Sequence, residues 1–173
     1  MRKTFLFVTL GLAVTAVCAA QMKLSAKMEC GKPDPQLAVP IGDAPGHALM
    51  VAHDKCNWSE GEIGGSKMET SEDTISSETR GSAVSDRGYS VVSVAGGDKA
   101  FVKFEGKTNV KDQKPSDGKG TWTFIGGKGK LKGIKGKGTY EGTFNAEGTP
   151  TWTIEGEYAL AAPAARAEPK AKK

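Results

Sequence analysis

Metal or acid–base chemistry would have to come from one short stretch of this sequence, where His47, His53, Asp54 and Cys56 lie close together. Histidine, cysteine and carboxylate groups are the usual zinc ligands. Their spacing here matches no standard zinc pattern, and the second cysteine pair of such patterns is missing. We therefore predict no metal site, and we interpret His47 as a loop residue and His53 as a strand residue.

Covalent catalysis finds equally little support. A nucleophilic triad needs a serine or cysteine, a histidine and an acid, yet both histidines lie in the early segment and no Gly-x-Ser-x-Gly motif occurs. Glu141, Glu155 and Glu157 alternate with aromatic residues, which indicates solvated positions on the outer face of strands. The glycine-rich residues 126–138 have neither phosphate-binding nor dinucleotide-binding spacing. We predict no catalytic residues and no cofactor; the balance favours a non-enzymatic protein, with an enzyme as the alternative.

A lysine cluster without any acidic residue follows the second tryptophan. Period-two spacing predicts that its first three members share one face of a strand. Such a patch could bind a polyanion, such as lipid headgroups or sulfated sugars, or it could be an edge strand that lysines protect from aggregation. No aromatic residue interleaves with the lysines, so we expect no nucleic-acid partner. The members are Lys128, Lys130, Lys132, Lys135 and Lys137.

Six aromatic residues fall on one predicted face of three neighbouring strands. They form either an ordinary filled core or the lining of a cavity, and the sequence leaves both readings open. In a cavity, tryptophan and tyrosine would offer an apolar body with a polar tip, which suits a small apolar or amphipathic ligand. The six are Trp122, Phe124, Tyr140, Phe144, Trp152 and Tyr158.

The elements that position these side chains are antiparallel strands. Glycine accounts for 23 of 173 residues, and hydrophobic residues for 38%, a composition that suits a small all-β domain with many turns. We predict strands over 21–30, 47–58, 82–95, 100–105, 121–125, 139–144 and 151–158, and the last three show clean alternation of aromatic and polar residues. Residues 66–80 are either an edge strand or a helical turn. We expect a proline-rich connection at 31–46, a polar loop at 109–120 and a hairpin turn at 145–149.

The two ends of the chain differ in composition from the residues between them. Residues 1–20 combine Arg2 and Lys3, a short apolar run and small residues, which is typical of a secretory signal peptide. We therefore expect export to the periplasm or the medium, and no membrane span in the mature chain. Lipidation at Cys18 is disfavoured, because Val17 and Thr15 are not the residues that such processing prefers. Residues 159–173 are rich in Ala, Pro and Lys and are predicted to be disordered.

Removing these ends leaves an N-terminal segment, residues 21–46, and a barrel domain, residues 47–158. The formal net charge of +4 comes from the two ends, so the domain itself is close to neutral, which again argues against nucleic acid. Cys30 and Cys56 remain, and two cysteines in an oxidising compartment predict one disulfide. The oligomeric state stays open.

One motif carries a resemblance to known families. The run Gly120-Thr121-Trp122-Thr123-Phe124 and the glycine-rich residues 126–138 resemble a stretch of the allene oxide cyclase and dirigent-type barrels, and of small exported bacterial proteins like them. Residues 86–89 and 97–99 are also similar to that exported group. The resemblance covers about half of the mature chain. It implies a calycin-like, antiparallel barrel of about eight strands.

In those families, cyclases isomerise a fatty-acid epoxide inside the barrel, and dirigent proteins steer radical coupling. The matching positions are glycines and aromatic residues of the framework, so the resemblance implies the fold and not either activity. Our leading hypothesis is an exported, non-enzymatic barrel that binds a small apolar or amphipathic ligand. The alternatives are a barrel isomerase or cyclase, and a protein that binds anionic surfaces through its lysines and tail.

Overall fold

The computed structural model describes residues 20–162 and contains ten strands. Residues 1–19 of the predicted signal peptide and residues 163–173 of the predicted tail lie outside the described residues. The strands are β1 (Met22–Cys30), β2 (Gln36–Pro40), β3 (Ala48–Glu60), β4 (Glu62–Ile63), β5 (Ser66–Arg80), β6 (Ala83–Val94), β7 (Lys99–Lys111), β8 (Lys114–Lys128), β9 (Lys135–Phe144) and β10 (Pro150–Ala159). A single 3₁₀ turn, Gly129–Leu131, is the one helical element in this part of the chain.

Eight of the strands close into an antiparallel barrel, which confirms the predicted fold. They follow the order β3-β1-β10-β9-β8-β7-β6-β5, and pairing between β5 and β3 completes the circle. Strand β2 lies beside β3 where β1 has ended, so it lengthens the wall beyond β1. An eight-stranded barrel has an interior just wide enough to be filled by side chains or to hold one small ligand.

The structure changes two local predictions and decides a third, which the sequence had left open. The segment 31–46 includes strand β2, and the predicted N-terminal strand is a full member of the barrel. The ambiguous segment Ser66–Arg80 is a strand paired on both sides. The polar loop expected at 109–120 is wrong, because β7 and β8 continue to a tight turn at Asp112 and Gln113, which both have positive φ. Two such residues are what a twisted hairpin needs.

The two ends of the barrel differ. One end, which we call the closed end, carries residues 61–65, 95–98 and 129–134 and is packed with side chains. Leu131 and Ile134 follow the glycine-rich run and are almost fully buried there, at 1% and 0% exposure. They pack in the same core as Ile63, Met68 and Val94. The opposite end, the open end, carries residues 31–35, 81–82, 112–113 and 145–149.

The glycines of the motif make room for an indole ring. Gly138 and Gly156 are cross-strand partners on β9 and β10, and a Cβ at either would lie 2.8 or 2.6 Å from ring atoms of Trp122. A Cβ at Gly138 would also overlap the carbonyl oxygen of Glu155. The glycine spacing is therefore part of the packing of the fold, since only glycine permits this close approach.

A substitution at Gly138 tests this packing. We expect Gly138→Ala to lower the free energy of unfolding by about 2–3 kcal/mol, because the added methyl must displace backbone and the Trp122 ring. Gly31→Ala is the matched control, since a Cβ there lies 3.6 Å from the nearest atom, an ordinary contact. Urea denaturation of both variants measures the difference. Equal stability of the two variants would contradict the proposed role of Gly138.

The predicted disulfide is confirmed between Cys30 and Cys56. The two cysteines are direct cross-strand partners on β1 and β3. The bond joins the last residue of β1 to the middle of β3, at the place where β1 leaves β3 and β2 takes over. It therefore fixes the N-terminal strand to the wall of the barrel.

Candidate ligand cavity

The interior between the packed closed end and the open end is a cavity of about 570 Å³. This volume lies within the range of small-molecule sites. Pro33 and Glu147 lie around its mouth, in the connections of the open end, and Pro150, the first residue of β10, lines it beside them. Trp122 and Phe124, which are also part of the core, form its inner boundary. The barrel is thus filled at one end and hollow at the other.

Five of the six predicted aromatic residues line this cavity: Trp122, Phe124, Tyr140, Phe144 and Trp152. They pack edge to face, with ring centroids 4.9 Å apart for Trp122 and Phe124, 5.4 Å for Tyr140 and Trp152, and 5.5 Å for Phe144 and Trp152. The aromatic face therefore belongs to the packed core at Trp122, whereas at Trp152 it forms the wall of the cavity.

Tyr158 is the exception among the six. It packs at the closed end and is 5% exposed. Its hydroxyl oxygen accepts a hydrogen bond of 2.9 Å from the backbone N–H of Gly64. It is not among the residues that line this cavity, because its strand has by then reached the filled end of the barrel.

A polar wall that the sequence analysis missed faces the same cavity. Asp54 and Asp73 are directly opposite each other on β3 and β5, and both line the cavity, as does Trp58. All three are buried, with 6–9% of the residue exposed. Within residues 20–162, Asp54 Oδ1, Asp73 Oδ1 and the indole Nε1 of Trp58 find no hydrogen-bond partner. Buried polar atoms without a partner are costly and rare, and each calls for an explanation.

The disulfide lies beside this polar wall but donates no hydrogen bond to it. Sγ of Cys56 is 3.8 Å from Oδ2 of Asp73, but a disulfide sulfur has no proton to donate. The two sulfurs and the Asp73 carboxylate lie within 4.8 Å of one another. Because the sulfurs are bonded together, they are not thiolate ligands, so this grouping does not have the donor set of a zinc site. His47 meanwhile lies in the loop before β3, hydrogen-bonded to Asp43 and, at 3.1 Å, to Glu78.

Burial changes the ionisation of both aspartates. Loss of solvent raises the pKa of Asp73 from 3.8 to about 6; the hydroxyl of Ser90 opposes this rise, and the neighbouring Asp54 adds to it. Loss of solvent likewise raises the pKa of Asp54 to about 6, with His53 acting in the opposite direction. Two facing carboxyl groups titrate as a pair, and their first charge disfavours the second.

This shift predicts a stability difference that depends on pH. The folded protein holds the Asp73 proton more tightly than the unfolded chain does, so the free energy of unfolding falls as pH rises from about 4 to about 6. The asparagine in Asp73→Asn does not ionise, so this variant should not lose stability over that pH range. We expect the variant to be more stable than the wild type by roughly 2–3 kcal/mol at pH 8, and by much less at pH 4. Urea denaturation at the two pH values measures the change.

Asp117→Asn is the control for this experiment. Hydrogen bonds from Ser116 and Asn109 lower the pKa of Asp117, so its ionised form favours the folded state and the variant should lose stability above pH 4. A stability difference between wild type and Asp73→Asn that is the same at pH 4 and pH 8 would show that Asp73 is not desolvated.

A third carboxylate, Asp86, also faces the interior but is fully satisfied. It accepts hydrogen bonds of 2.6 Å from Ser77 Oγ and 2.8 Å from Thr108 Oγ1. Across the cavity, burial raises the pKa of Tyr140, and Asp86 and Asp73 raise it further. Tyr140 is therefore a neutral hydroxyl at physiological pH.

The lysine cluster is not the strand face that its spacing predicted. Lys128 ends β8, with its Nζ 5.9 Å from the ring centre of Phe101. Lys130 lies in the 3₁₀ turn and Lys132 just after it, because Gly129 has a positive φ and turns the chain. Lys135 and Lys137 begin β9. The five are exposed around the closed end, away from the cavity.

The outer face carries the remaining predicted carboxylates. Glu141, Glu155 and Glu157 are exposed on β9 and β10, as their alternation with aromatic residues indicated. Glu155 accepts a 2.7 Å hydrogen bond from the hydroxyl of Ser25 on the neighbouring strand. Within residues 20–162, no helix is long and apolar enough to cross a membrane.

Comparisons with known proteins agree with this architecture. No protein-family model and no curated protein sequence matches the chain. A solved pterocarpan synthase dirigent protein superposes with a TM-score of 0.52 at 10% identity, over 83% of this chain and 97% of that chain. A second one gives a TM-score of 0.51 at 9% identity, over 88% of this chain and 92% of that chain. The chain has the fold of the dirigent-type barrels that its glycine and tryptophan motif resembles.

Proposed function

We propose that this protein is an exported barrel that binds one small amphipathic molecule in its cavity, without transforming it. The observation that carries the proposal is the pairing of an aromatic wall with three buried polar atoms, those of Asp54, Trp58 and Asp73, that have no hydrogen-bond partner within residues 20–162. A filled core rarely buries such atoms. An amphipathic ligand would place its polar end against the side chains of this polar wall and its apolar body against the aromatic residues.

Uptake of a neutral probe tests the proposal. We expect N-phenyl-1-naphthylamine to bind the wild type at about one molecule per chain, with enhanced fluorescence. Val102→Trp places an indole in the cavity, which Val102 lines, and should abolish uptake. Ile125→Trp is the matched control, since Ile125 is exposed on the outer face of β8, and it should bind like the wild type.

A second blocking variant, Val84→Trp, covers the case in which Val102→Trp fails to fold, because Val84 also lines the cavity. Circular dichroism confirms the fold of each variant. Uptake that persists in a folded cavity-filled variant, or no uptake by the wild type, would contradict the proposal.

Export is the second part of the proposal. Its support is the leader-like composition of residues 1–20 and the disulfide between Cys30 and Cys56, a bond that persists in oxidising compartments. Mass spectrometry of the protein from its producing cells tests it. We expect a mature chain that begins at Ala20 or Gln21, whereas a chain that keeps Met1 in the soluble fraction would contradict export.

A barrel isomerase is the competing function, and one observation favours it. A buried carboxyl group with a pKa near 6, such as that of Asp73, is suited to donate or accept a proton near neutral pH. This function predicts turnover of an unsaturated fatty-acid epoxide that Asp73→Asn abolishes. Absence of product at high protein concentration would remove this alternative.

A further inference from the structure

The pair Asp54 and Asp73 also indicates which charge the ligand carries. The two carboxyl groups are directly opposite each other on neighbouring strands, a placement that is destabilising when both are charged. Asp73 is only 6% exposed and lines the cavity, and its Oδ1 has no hydrogen-bond partner among the described residues. An arrangement that lowers stability without an internal partner is typical of a site that waits for a ligand.

Among the described residues, the cavity lining holds no buried basic side chain. Among the cavity-lining residues of the described chain, the one basic side chain is that of Lys32, which is exposed near the mouth. Asp86 adds a third interior carboxylate, and its oxygens are already occupied by Ser77 and Thr108. The interior is therefore acidic, so an anionic ligand would be repelled and a cation attracted.

The surrounding aromatic rings favour the same ligand. Asp54, Cys56 and Trp58 occupy alternate positions of β3, so their side chains all point to the interior of the barrel. Trp122 and Tyr140 line the same cavity. Aromatic faces attract organic cations, most strongly where water is excluded. A hydrated divalent cation could also lie between two carboxylates, but it would leave the aromatic wall without an apolar partner.

We propose that the ligand carries a protonated amine, which binds between Asp54 and Asp73 while its apolar body packs against the aromatic wall. This inference rests on the proposed ligand-binding function and names the chemical class of the ligand. An ammonium group offers three N–H donors, enough to donate to the carboxylates of both aspartates at once.

Calorimetric titration with three matched probes tests the inference. 2-(2-Naphthyl)ethylamine, 2-(2-naphthyl)ethanol and 2-naphthylacetate share one apolar body and differ in charge. At pH 7.5 we expect the amine to bind the wild type at least ~10-fold more tightly than the alcohol, and the carboxylate to bind most weakly. In Asp73→Asn and in Asp54→Asn, the ratio of the two dissociation constants, alcohol over amine, should fall several-fold, because the ammonium group loses one of its two charged partners.

Glu141→Gln is the control for removal of a negative charge, because Glu141 is exposed on the outside of β9 and the ratio should stay at its wild-type value. Equal binding of amine and alcohol by the wild type would overturn the inference and leave the ligand-binding function standing. Failure of all three probes to bind would overturn both. A ratio that falls equally in Glu141→Gln would assign the preference to net charge and not to the aspartate pair.

The dependence on pH gives a second readout. Amine and proton compete for the same carboxyl pair, so the preference for the amine should fall between pH 7 and pH 5. The other charged or titratable groups that line the cavity are Lys32, Asp86, Tyr140 and Glu147, and His53 adjoins Asp54 on β3. Asp86→Asn should therefore keep the fall with pH, and loss of that fall in this variant would assign the titration to Asp86.

Discussion

Trp122→Ala should lower the free energy of unfolding by roughly 3–5 kcal/mol, the usual cost of removing a large buried aromatic side chain. Trp122 is 5% exposed, and its indole N–H lies 3.2 Å from the carbonyl oxygens of both Thr139 and Glu155. Its ring also covers Gly138 and Gly156. The substitution therefore removes a contact that joins three strands, and urea denaturation measures the loss.

Trp152→Ala is the comparison for this prediction. Trp152 is half-buried and borders the cavity, so part of its surface has no protein neighbour to lose. We expect its replacement to cost clearly less stability than that of Trp122 and to weaken uptake of N-phenyl-1-naphthylamine. Two equal losses of stability would mean that the barrel is filled at both positions, which contradicts the cavity.

Replacement of both Cys30 and Cys56 by serine is expected to lower stability by about 3.5 kcal/mol. The two cysteines are 26 residues apart in the sequence, and a cross-link over a loop of that length restricts the unfolded chain by this amount in the chain-entropy model. Denaturant unfolding of the variant and of the wild type after reduction measures the effect.

The reduced wild type is the control for the serine substitutions, because it loses the bond and keeps both sulfurs. We expect similar stability for the two. A loss below about 1 kcal/mol in both samples would mean that strands β1 and β3 hold together without the bond.

Much of the fold was predictable because strand alternation is a local property. The alternation at Trp122 and Phe124, and at Trp152 and Ile154, follows directly from one filled face and one solvated face. The glycines between these aromatic residues also indicated a strongly coiled barrel. Their exact role became visible only with the register, which places Gly138 beside Gly156 under the Trp122 ring.

The failures have a common physical cause. The extension of β7 and β8 past Asn109 is polar because it rises beyond the packed core, so its residues show little apolar alternation. Lys130 and Lys132 follow the strand period in sequence, but Gly129 turns the chain before them. A pattern of residue types does not by itself reveal where a strand leaves the core or where one glycine ends it.

The cavity wall was missed for a different reason. Asp54 was visible in the sequence as a possible metal ligand beside His53, and Asp73 lay in the segment with the weakest pattern. Their pairing depends on the register of β3 against β5. One signal was present: Asp54, Cys56 and Trp58 share the same alternate positions, so an aspartate on that face points to the interior.

The most direct test of the ligand-binding account is native mass spectrometry of the mature protein purified from the cells that make it. The account predicts an added mass of about a few hundred daltons, the size that a cavity of this volume admits. The added mass should disappear on denaturation and should be absent from Val102→Trp but present in Ile125→Trp. A wild-type protein of bare polypeptide mass that also takes up no N-phenyl-1-naphthylamine would contradict the account.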